Sequence, residues 1–594
     1  MEIGDRLNTI KSRHQRHSLG GQGAKSNRFL RFLPKEWFKY GWSHSMGLAT
    51  IFFIGLLFAL PLLVIFGYLF VPAFDIWQHL IETVLVDYVI NSAILMVGVG
   101  LLTLFGGVSC AWLVTMCSFK GRAFFEWALL LPMAMPAYII AYTYTGLLDS
   151  GGIVQSAIRN IWDLNYGEYY FPQVRSLGGA VLMLALVLFP YLYLLTRATF
   201  LNQSLCVLEV SRSLGHGAWR TFAMLALPLA RPSIIAGLSL VLMEVLADYG
   251  TVHYFGISTF STGIFRTWQG LGSDAGAAQL SALLLCFIFA LVVVEVKSRK
   301  KAKFHDTSQR HQNIKPIPLT GYKAWLAIGF CAIPVIFGFL LPAIQLLLWC
   351  IEVAAIQINF RFLILFYNSL LLAFITACCA VGIAVILAYG QRVLSNRLIG
   401  LTVSLVGLGY AIPGTVLAVG VLIPLAFVDN RIDGFMRAQF NISTGLLLSG
   451  TLVGLVFAYL VRFLTLSLRG VQSGLIRIKP TLDDAGRALG HSPRSILSKI
   501  HLPLLKGSLW TAFLLVFVDV LKELPITLVL RPFNYNTLAV RAYELASDER
   551  LAEAAPASLA IVVAGILPVI MISRSITKTR KQHPIIHRGK QHYE

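Results

Sequence analysis

Two apolar stretches of the chain contain ionisable residues, which apolar segments normally exclude. The stretches read LVLMEVLADYG and LVFVDVLKELP, and together they contain Glu244, Asp248, Asp519, Lys522 and Glu523. Because a charge inside a hydrocarbon layer is costly, such groups tend to face a polar path or one another. A hard, highly charged cation prefers oxygen ligands to sulfur. The four carboxylates are therefore candidate pathway residues that would contact such a cation in passing.

The same residues have a second interpretation, in which they only fix the packing of helices. Lys522 is close enough in sequence to neutralise either Glu523 or Asp519. His253 has no second His or Cys at a metal-ligand spacing, so the sequence predicts no metal ligand. It also predicts no catalytic residue and no cofactor bound by this chain. The choice between a pathway role and a packing role stays open at this point.

The composition is that of a membrane protein. Of 594 residues, 57% are hydrophobic and only 13% are charged, and the mean hydropathy is +0.72. A helix of about 20 residues crosses a hydrocarbon core of about 30 Å. The sequence predicts an all-α polytopic membrane protein with twelve spans, near residues 48–70, 91–117, 124–148, 177–197, 232–250, 276–296, 325–349, 368–390, 400–428, 445–466, 508–530 and 556–573.

The positive charges predict how these spans are oriented. Lys and Arg outnumber acids nine to three in residues 1–46, eight to one in 297–323 and six to one in 574–594. Basic segments stay in the cytosol, so we expect a multi-pass protein of the cytoplasmic (inner) membrane with both termini cytosolic. This bias explains the net charge of +21 without nucleic-acid binding. The expected domains are a basic cytosolic tail (1–46), a first transmembrane domain (47–297), a cytosolic linker (298–324), a second transmembrane domain (325–573) and a basic cytosolic tail (574–594).

The second half of the chain repeats the first. Asn91 and Pro136 recur as Asn368 and Pro413 at an offset of 277, and Glu244 recurs as Asp519 at an offset of 275. Since each half is predicted to contain an even number of spans, both halves enter the membrane in the same orientation. The sequence therefore predicts two parallel six-helix repeats.

The most polar matched segments connect the fourth and fifth spans of each half. They read EVSRSLGHGAWRTFAMLALP from Glu209 to Pro228, and DAGRALGHSPRSILSKIHLP from Asp484 to Pro503. An acid near the start of a short helix opposes the positive end of the helix dipole, and a glycine can end such a helix. Proline is tolerated at the beginning of the helix that follows. Each segment is therefore predicted to form a rigid cytosolic knob.

These segments resemble the permease signature of binding-protein-dependent ABC importers, which combines an acid, two small residues, a glycine and a Leu-Pro pair. Val210, Ser211 and Gly486 depart from the alanines that the signature prefers, and Asp484 stands for its glutamate. The resemblance identifies ATPase-coupling residues in both halves. They are Glu209, Gly215, Leu227 and Pro228 in the first, and Asp484, Ala485, Gly490, Leu502 and Pro503 in the second.

The resemblance implies a transport subunit of the type I ABC importer permease fold that performs no chemistry itself. Two copies of a separate ABC ATPase would use ATP, and an extracytoplasmic binding protein would deliver the substrate. The chain does not supply the ATP site, because its segment GGQGAKS at residues 20–26 lacks the spacing of a phosphate-binding loop. The lipid bilayer is the remaining partner.

The segments after the fifth and eleventh spans, residues 248–268 and 522–550, resemble ferric-iron permeases, which implies that Fe³⁺ is the substrate. Permeases for thiamine and for a phosphonate are similar, so these substrates are alternatives. An ion-coupled secondary transporter would use the acids of the fifth and eleventh spans, but the doubled coupling segments count against it. A membrane enzyme would need a His/Asp cluster or an HExxH helix, and the sequence has neither.

Overall fold

The computed structural model describes residues 42–202, 217–300, 317–394 and 396–581. The chain divides into two compact units, Met1–Thr50 and Ile51–Glu594. The first unit is described only over residues 42–50, which are helical. The second unit contains all the features discussed below.

The first half of the chain contains twelve described α-helices. Their bounds are α1 Trp42–Gly67, α2 Phe74–Thr83, α3 Leu85–Met116, α4 Arg122–Ala128, α5 Ala137–Leu148, α6 Ile153–Trp162, α7 Leu177–Asn202, α8 Ala218–Thr221, α9 Leu227–Ala247, α10 Gly250–Tyr254, α11 Phe260–Phe265 and α12 Asp274–Lys300. Short 3₁₀ turns lie at Tyr68–Phe70 and Leu131–Ala134, and π turns lie at Phe222–Ala226 and Arg266–Gly270.

The second half follows the same plan. Its helices are α13 Tyr322–Val335, α14 Leu341–Gln357, α15 Phe360–Leu394, α16 Arg397–Val406, α17 Gly414–Phe440, α18 Leu452–Ile476, α19 Thr481–Ala488, α20 Pro493–Ile496, α21 Leu502–Leu521, α22 Pro525–Leu530, α23 Leu538–Ser547 and α24 Leu551–Lys581. A 3₁₀ turn lies at Gly409–Ala411, and π turns lie at Ile336–Leu340 and Leu497–His501. Two short strands, β1 (Cys117–Ser118) and β2 (Ile317–Pro318), pair in parallel.

The described helices include eleven that are long and apolar enough to cross a membrane. A bent pair, Arg122–Ala134 and Ala137–Trp162, makes a twelfth span if it is counted as one. This agrees with the predicted all-α polytopic fold, although several ends differ. The tenth and eleventh spans, predicted at 445–466 and 508–530, are observed at Leu452–Ile476 and Pro493–Leu521. Both differences lie at the helix ends next to the second coupling segment, where polar residues interrupt the apolar pattern that predicts a span.

The third and ninth spans are interrupted, whereas the sequence predicted each as a single span. The chain turns by 90° between Ala134 and Ala137. The corresponding break in the second half separates the turn Gly409–Ala411 from α17. Pro136 and Pro413 are extended and immediately precede α5 and α17. Because proline lacks an N–H and disfavours helical geometry in the residue before it, each proline starts a new helix.

The repeat is visible in how the helices pack. In the first half α3, α7 and α9 pack against one another, and in the second half α15, α18 and α21 do the same. The halves also interlock, since the turn Leu131–Ala134 packs against α24 and α17 packs against α12. The interrupted span of each half therefore lies against the last span of the other, which places its break beside the interface between the halves.

Candidate pathway and coupling site

All four predicted pathway carboxylates line one cavity between the two halves. This first cavity, of about 140 Å³, is bordered by Glu244 and Asp248 from the first half and by Asp519 and Glu523 from the second. A second cavity of about 280 Å³ adjoins it and shares Glu244 and Asp519. Proteins seldom bring four acids together at membrane depth unless other groups compensate them or a ligand needs them.

Asp248 and Glu523 occupy equivalent positions and both bind the start of a short helix. Asp248 accepts hydrogen bonds from the Thr251 hydroxyl (3.0 Å) and the Val252 N–H (3.1 Å). Glu523 accepts hydrogen bonds from the N–H groups of Ile526 (3.0 Å) and Thr527 (3.2 Å) and from the Thr527 hydroxyl. The N–H groups of a first helical turn have no partner within the helix, so both carboxylates act as caps.

Two of the four acids form ion pairs. Lys522 Nζ lies 2.7 Å from Asp519 Oδ1, so the lysine neutralises Asp519. Glu523 pairs instead with Arg462, whose Nη1 lies 3.5 Å from Glu523 Oε1. The sequence interpretation missed Arg462, although a lone arginine in the middle of an apolar span is itself a signal.

A glycine makes room for the second ion pair. At Gly414 an added Cβ would lie 2.5 Å from Arg462 Nη1 and 2.9 Å from Glu523 Oε1. The residue equivalent to Gly414 in the first half is Ala137, which already carries a Cβ. The close approach of Arg462 and Glu523 therefore depends on the missing side chain.

An aromatic group borders the first cavity and joins the two halves. Tyr249 lines the cavity, and its ring lies 5.0 Å from that of His253. His253 Nδ1 in turn lies 2.5 Å from the hydroxyl of Tyr543 in the second half. The neighbouring Tyr254 lies instead beneath the guanidinium of Arg175. No three His, Cys, Asp or Glu residues in the described part of the chain are arranged to hold a metal ion tightly.

The second coupling segment is described completely and forms a short helix followed by a sharp turn. We call α19 the docking helix; Asp483 and Asp484 lie in its first turn. Gly490 has a φ of +79°, and the His491 N–H returns to the Gly486 carbonyl at 3.0 Å. This geometry ends a helix with a left-handed residue, which glycine adopts without strain.

The predicted coupling residues of this segment differ in exposure. Asp484, Ala485, Gly490 and Pro503 are exposed, and Leu502 is half-buried. Leu489 is 78% exposed, although a large apolar side chain normally avoids water. The docking helix therefore presents a mixed polar and apolar surface. Glu209 and Gly215 of the first copy lie outside the described residues, while Leu227 and Pro228 are half-buried at the start of α9.

Each Leu-Pro pair follows a π turn. Leu227 and Leu502 begin α9 and α21, directly after the π turns Phe222–Ala226 and Leu497–His501. Proline at the start of a helix needs no N–H partner, and the wider π turn accommodates its ring. Each span is thus continuous with the π turn that precedes it.

A buried polar group, which the sequence did not single out, holds the docking helix against the spans. Arg392, at the end of α15, donates to Asp483 Oδ2 through Nη2 at 2.6 Å and to the carbonyls of Leu475 (2.6 Å) and Ile478 (2.9 Å). His501 Nε2 lies 2.5 Å from Asp483 Oδ1. Burial raises the pKa of Asp483, but the hydrogen bonds from His501 and Arg392 outweigh it and hold the pKa below its usual value. We call Arg392, Asp483 and His501 the clamp.

Comparisons with known proteins agree with the predicted family. Residues 103–298 match the model of the binding-protein-dependent transport system inner membrane component. The chain is 26% identical to the Fe(3+)-transport system permease protein FbpB 2 of Haemophilus influenzae, over 87% of this chain and 97% of that protein. It is 23% identical to the putative ferric transport system permease protein FbpB 1 of the same organism, over 75% of this chain and 70% of that protein. It is also 26% identical to the molybdenum transport system permease protein ModB of Escherichia coli, over 32% of this chain and 84% of that protein.

Proposed function

We propose that this chain is the ferric-iron permease subunit of an ATP-driven importer, because residues 103–298 match the inner membrane component of binding-protein-dependent transport systems and most of the chain is similar to a ferric transport permease. The observation that supports this substrate is the placement of Glu244, Asp248, Asp519 and Glu523 around one cavity between the halves. Oxygen ligands suit a hard trivalent cation. Two relatives named for ferric transport support the same substrate.

The energy is proposed to come from two copies of a separate ATPase. One chain carries two predicted coupling segments, and the second exposes Asp484, Ala485 and Leu489. Each ATPase would bind one segment, and closure of the ATPase pair would draw the two segments together. The clamp and the continuous turn into α21 would transmit that movement from the coupling segment to the spans.

The orientation of the chain in the membrane follows from the proposed role of the coupling segments. The coupling segments would lie in the cytosol with both termini and the linker, in agreement with the positive-charge bias. An extracytoplasmic binding protein would then dock on the opposite side of the membrane, where α6, α10 and α23 connect the spans. High affinity for iron would belong to that binding protein, because a permease that bound its substrate tightly would release it slowly.

A small oxyanion such as a phosphonate is the second candidate substrate. Arg462 and Lys522 line the first cavity, and Arg469 lines the second, so basic groups are available there. Arg462 and Lys522 are each engaged by a carboxylate, which favours the cation. Thiamine, a cationic alternative, would also be compatible with the acids.

The test is uptake of radiolabelled ferric iron into proteoliposomes that contain the full chain, its ATPase and its binding protein, with ATP inside. We expect ATP-dependent uptake by the wild type and its loss in the double variant Gly215→Asp/Gly490→Asp. The matched control is Gly434→Asp, an exposed glycine of α17 with open space around it, which should retain uptake. Uptake of a phosphonate or thiamine instead of iron would overturn the substrate, and uptake of iron without the ATPase would overturn the importer.

A further inference from the structure

The two halves contribute unequal charge to the pathway. Among the described residues that line the two cavities, the first half supplies three acids and no base: Glu244, Asp248 and Glu295. The second half supplies two acids and three bases: Asp519, Glu523, Arg462, Arg469 and Lys522. Two identical halves would have supplied the same numbers of acids and bases to the cavities.

The imbalance arises at two matched positions. Lys522, which neutralises Asp519, corresponds at the offset of 275 to Ala247, so the first half has no lysine at the equivalent position. Arg462, which neutralises Glu523, corresponds at the same offset to Val187. The second half therefore compensates both of its pathway acids, and the first half compensates neither with a basic residue of its own.

Of the two first-half acids that line the first cavity, Glu244 and Asp248, only Glu244 caps no helix. Asp248 is used as a cap by α10, through Thr251 and Val252. Glu244 makes no direct ion pair within the described part of the chain, although the charges of Arg462 and Lys522 in the second half stabilise its carboxylate, as does a hydrogen bond with Tyr410. It lines both cavities, so a solute moving from one to the other passes its carboxylate.

A second observation points to a ligand in the same place. Tyr138 lines the first cavity and is only 6% exposed, yet its buried hydroxyl has no hydrogen-bond partner. An unsatisfied buried hydroxyl costs about 1–3 kcal/mol, so such groups are rare unless a ligand or water completes them. Tyr191 and Tyr410 also line both cavities. Phenolic and carboxylate oxygens together form an oxygen-rich environment that suits a hard cation.

We propose that Glu244 is the carboxylate that the transported cation contacts on its way between the two cavities, while Asp519 with Lys522 and Glu523 with Arg462 hold the helices of the second half. This inference rests on the proposed function and assigns its contact residue. The contact exchanges a water molecule of the hydrated cation for a Glu244 oxygen, and involves no covalent or redox step. One carboxylate gives a weak contact, which permits release.

The inference distinguishes variants that would otherwise look equivalent. Glu244→Gln removes the charge and keeps the shape, so ferric uptake should fall about tenfold. Asp519→Asn/Lys522→Gln removes a neutral pair, so uptake should stay within about threefold of the wild type. Ala247→Lys gives Glu244 the partner that Asp519 already has, so it should also lower uptake about tenfold.

The experiment compares these three variants with the wild type and with Glu352→Gln, an exposed acid of α14 that borders neither cavity. ATP hydrolysis stimulated by the binding protein is measured in the same proteoliposomes, and it should persist in every variant because the coupling segments are intact. A selective loss of uptake in Glu244→Gln and Ala247→Lys supports the inference. Equal loss in Asp519→Asn/Lys522→Gln, or full uptake by Glu244→Gln, overturns it.

A binding measurement separates this inference from the proposed function. Terbium(III), a hard trivalent cation whose emission is sensitised by nearby tyrosines, is titrated into the detergent-solubilised chain. Glu244→Gln should weaken the sensitised binding about tenfold relative to Glu352→Gln. Unchanged binding overturns the role of Glu244 even if iron uptake is confirmed. Wild-type proteoliposomes that take up no iron overturn the proposed function, and with it the substrate in this inference.

Discussion

Arg392 and Asp483 form an ion pair of 2.6 Å that joins the end of a membrane span to the docking helix. The same guanidinium also binds the carbonyls of Leu475 and Ile478, which lie at and just beyond the end of α18. One side chain therefore connects three elements, and the geometry uses the planar fork that distinguishes arginine from lysine.

Replacement of Arg392 should uncouple ATP hydrolysis from transport. In Arg392→Ala the docking helix loses its attachment to α15 and α18, so ATP should be hydrolysed while iron uptake falls about tenfold. Arg392→Lys should restore only part of the uptake, because a point charge cannot reach the carboxylate and both carbonyls together. The measurement is the ratio of ATP hydrolysed to iron accumulated in proteoliposomes. An unchanged ratio in Arg392→Ala would show that the clamp does not transmit motion.

Asp483 and Asp484 are neighbours that should respond differently to acid. The pKa of Asp483 is held below its usual value by His501 and Arg392, so its contribution to stability is present above roughly pH 4 and is lost as the pH falls through the lowered value. Asp483→Asn should lower the melting temperature at neutral pH and flatten its dependence on pH in the acid range. Asp484→Asn, at an exposed position, is the matched control and should follow the wild-type curve. Identical curves for both variants would exclude a structural role for the clamp carboxylate.

Gly490 should tolerate substitution poorly for a conformational reason. Its φ of +79° is strained for an L-residue, although nothing lies within 4 Å of an added Cβ. Gly490→Ala should therefore cost about 1 kcal/mol and distort the turn after the docking helix. Gly507→Ala, in a helix with equally open space, should be neutral or slightly stabilising. Thermal unfolding and ATPase binding would be measured for both variants; equal behaviour would mean that the turn is adaptable.

Gly414 and Ala137 provide a test of the Arg462–Glu523 pair. Gly414→Ala would force a methyl group against both charged groups, so it should destabilise the protein by about 1–3 kcal/mol. Ala137→Gly, at the equivalent position of the first half, should cost less than about 1 kcal/mol. In the background Arg462→Met/Glu523→Gln, where the pair is gone, Gly414→Ala should lose most of its effect. These variants form a double-mutant cycle, measured as free energies of unfolding. If the effects of Gly414→Ala and of removing the pair simply add, Gly414 and the pair are not sterically coupled.

The sequence predicted the large features of this molecule because they depend on local patterns. Apolar runs predicted the spans, and the matched offsets predicted the repeat. Gly490 predicted the end of the docking helix. The breaks at Pro136 and Pro413 were missed as breaks, because a proline inside an apolar run is compatible with either a kinked helix or two helices. The local pattern cannot decide between them.

The partners of the charged residues were the least predictable part. The sequence offered Asp519 and Glu523 as partners of Lys522, and the structure pairs the lysine with Asp519, one helical turn away. Arg462 and Glu523 are separated by 61 positions, as Arg392 and Asp483 are by 91, so only the packing of spans brings them together. The lone Arg in an apolar span indicated that some acid must face it, but not which one.

The charge imbalance between the halves has a consequence for how such a permease can change through evolution. In a dimer of identical six-span chains, a mutation to arginine at the position of Arg462 would be inherited on both sides of the symmetry axis at once. In a single polypeptide the two halves mutate independently, so one half can acquire an arginine and a lysine while the other keeps valine and alanine. Gene fusion would thus have allowed the path to become polarised across its own axis, an option closed to a homodimer.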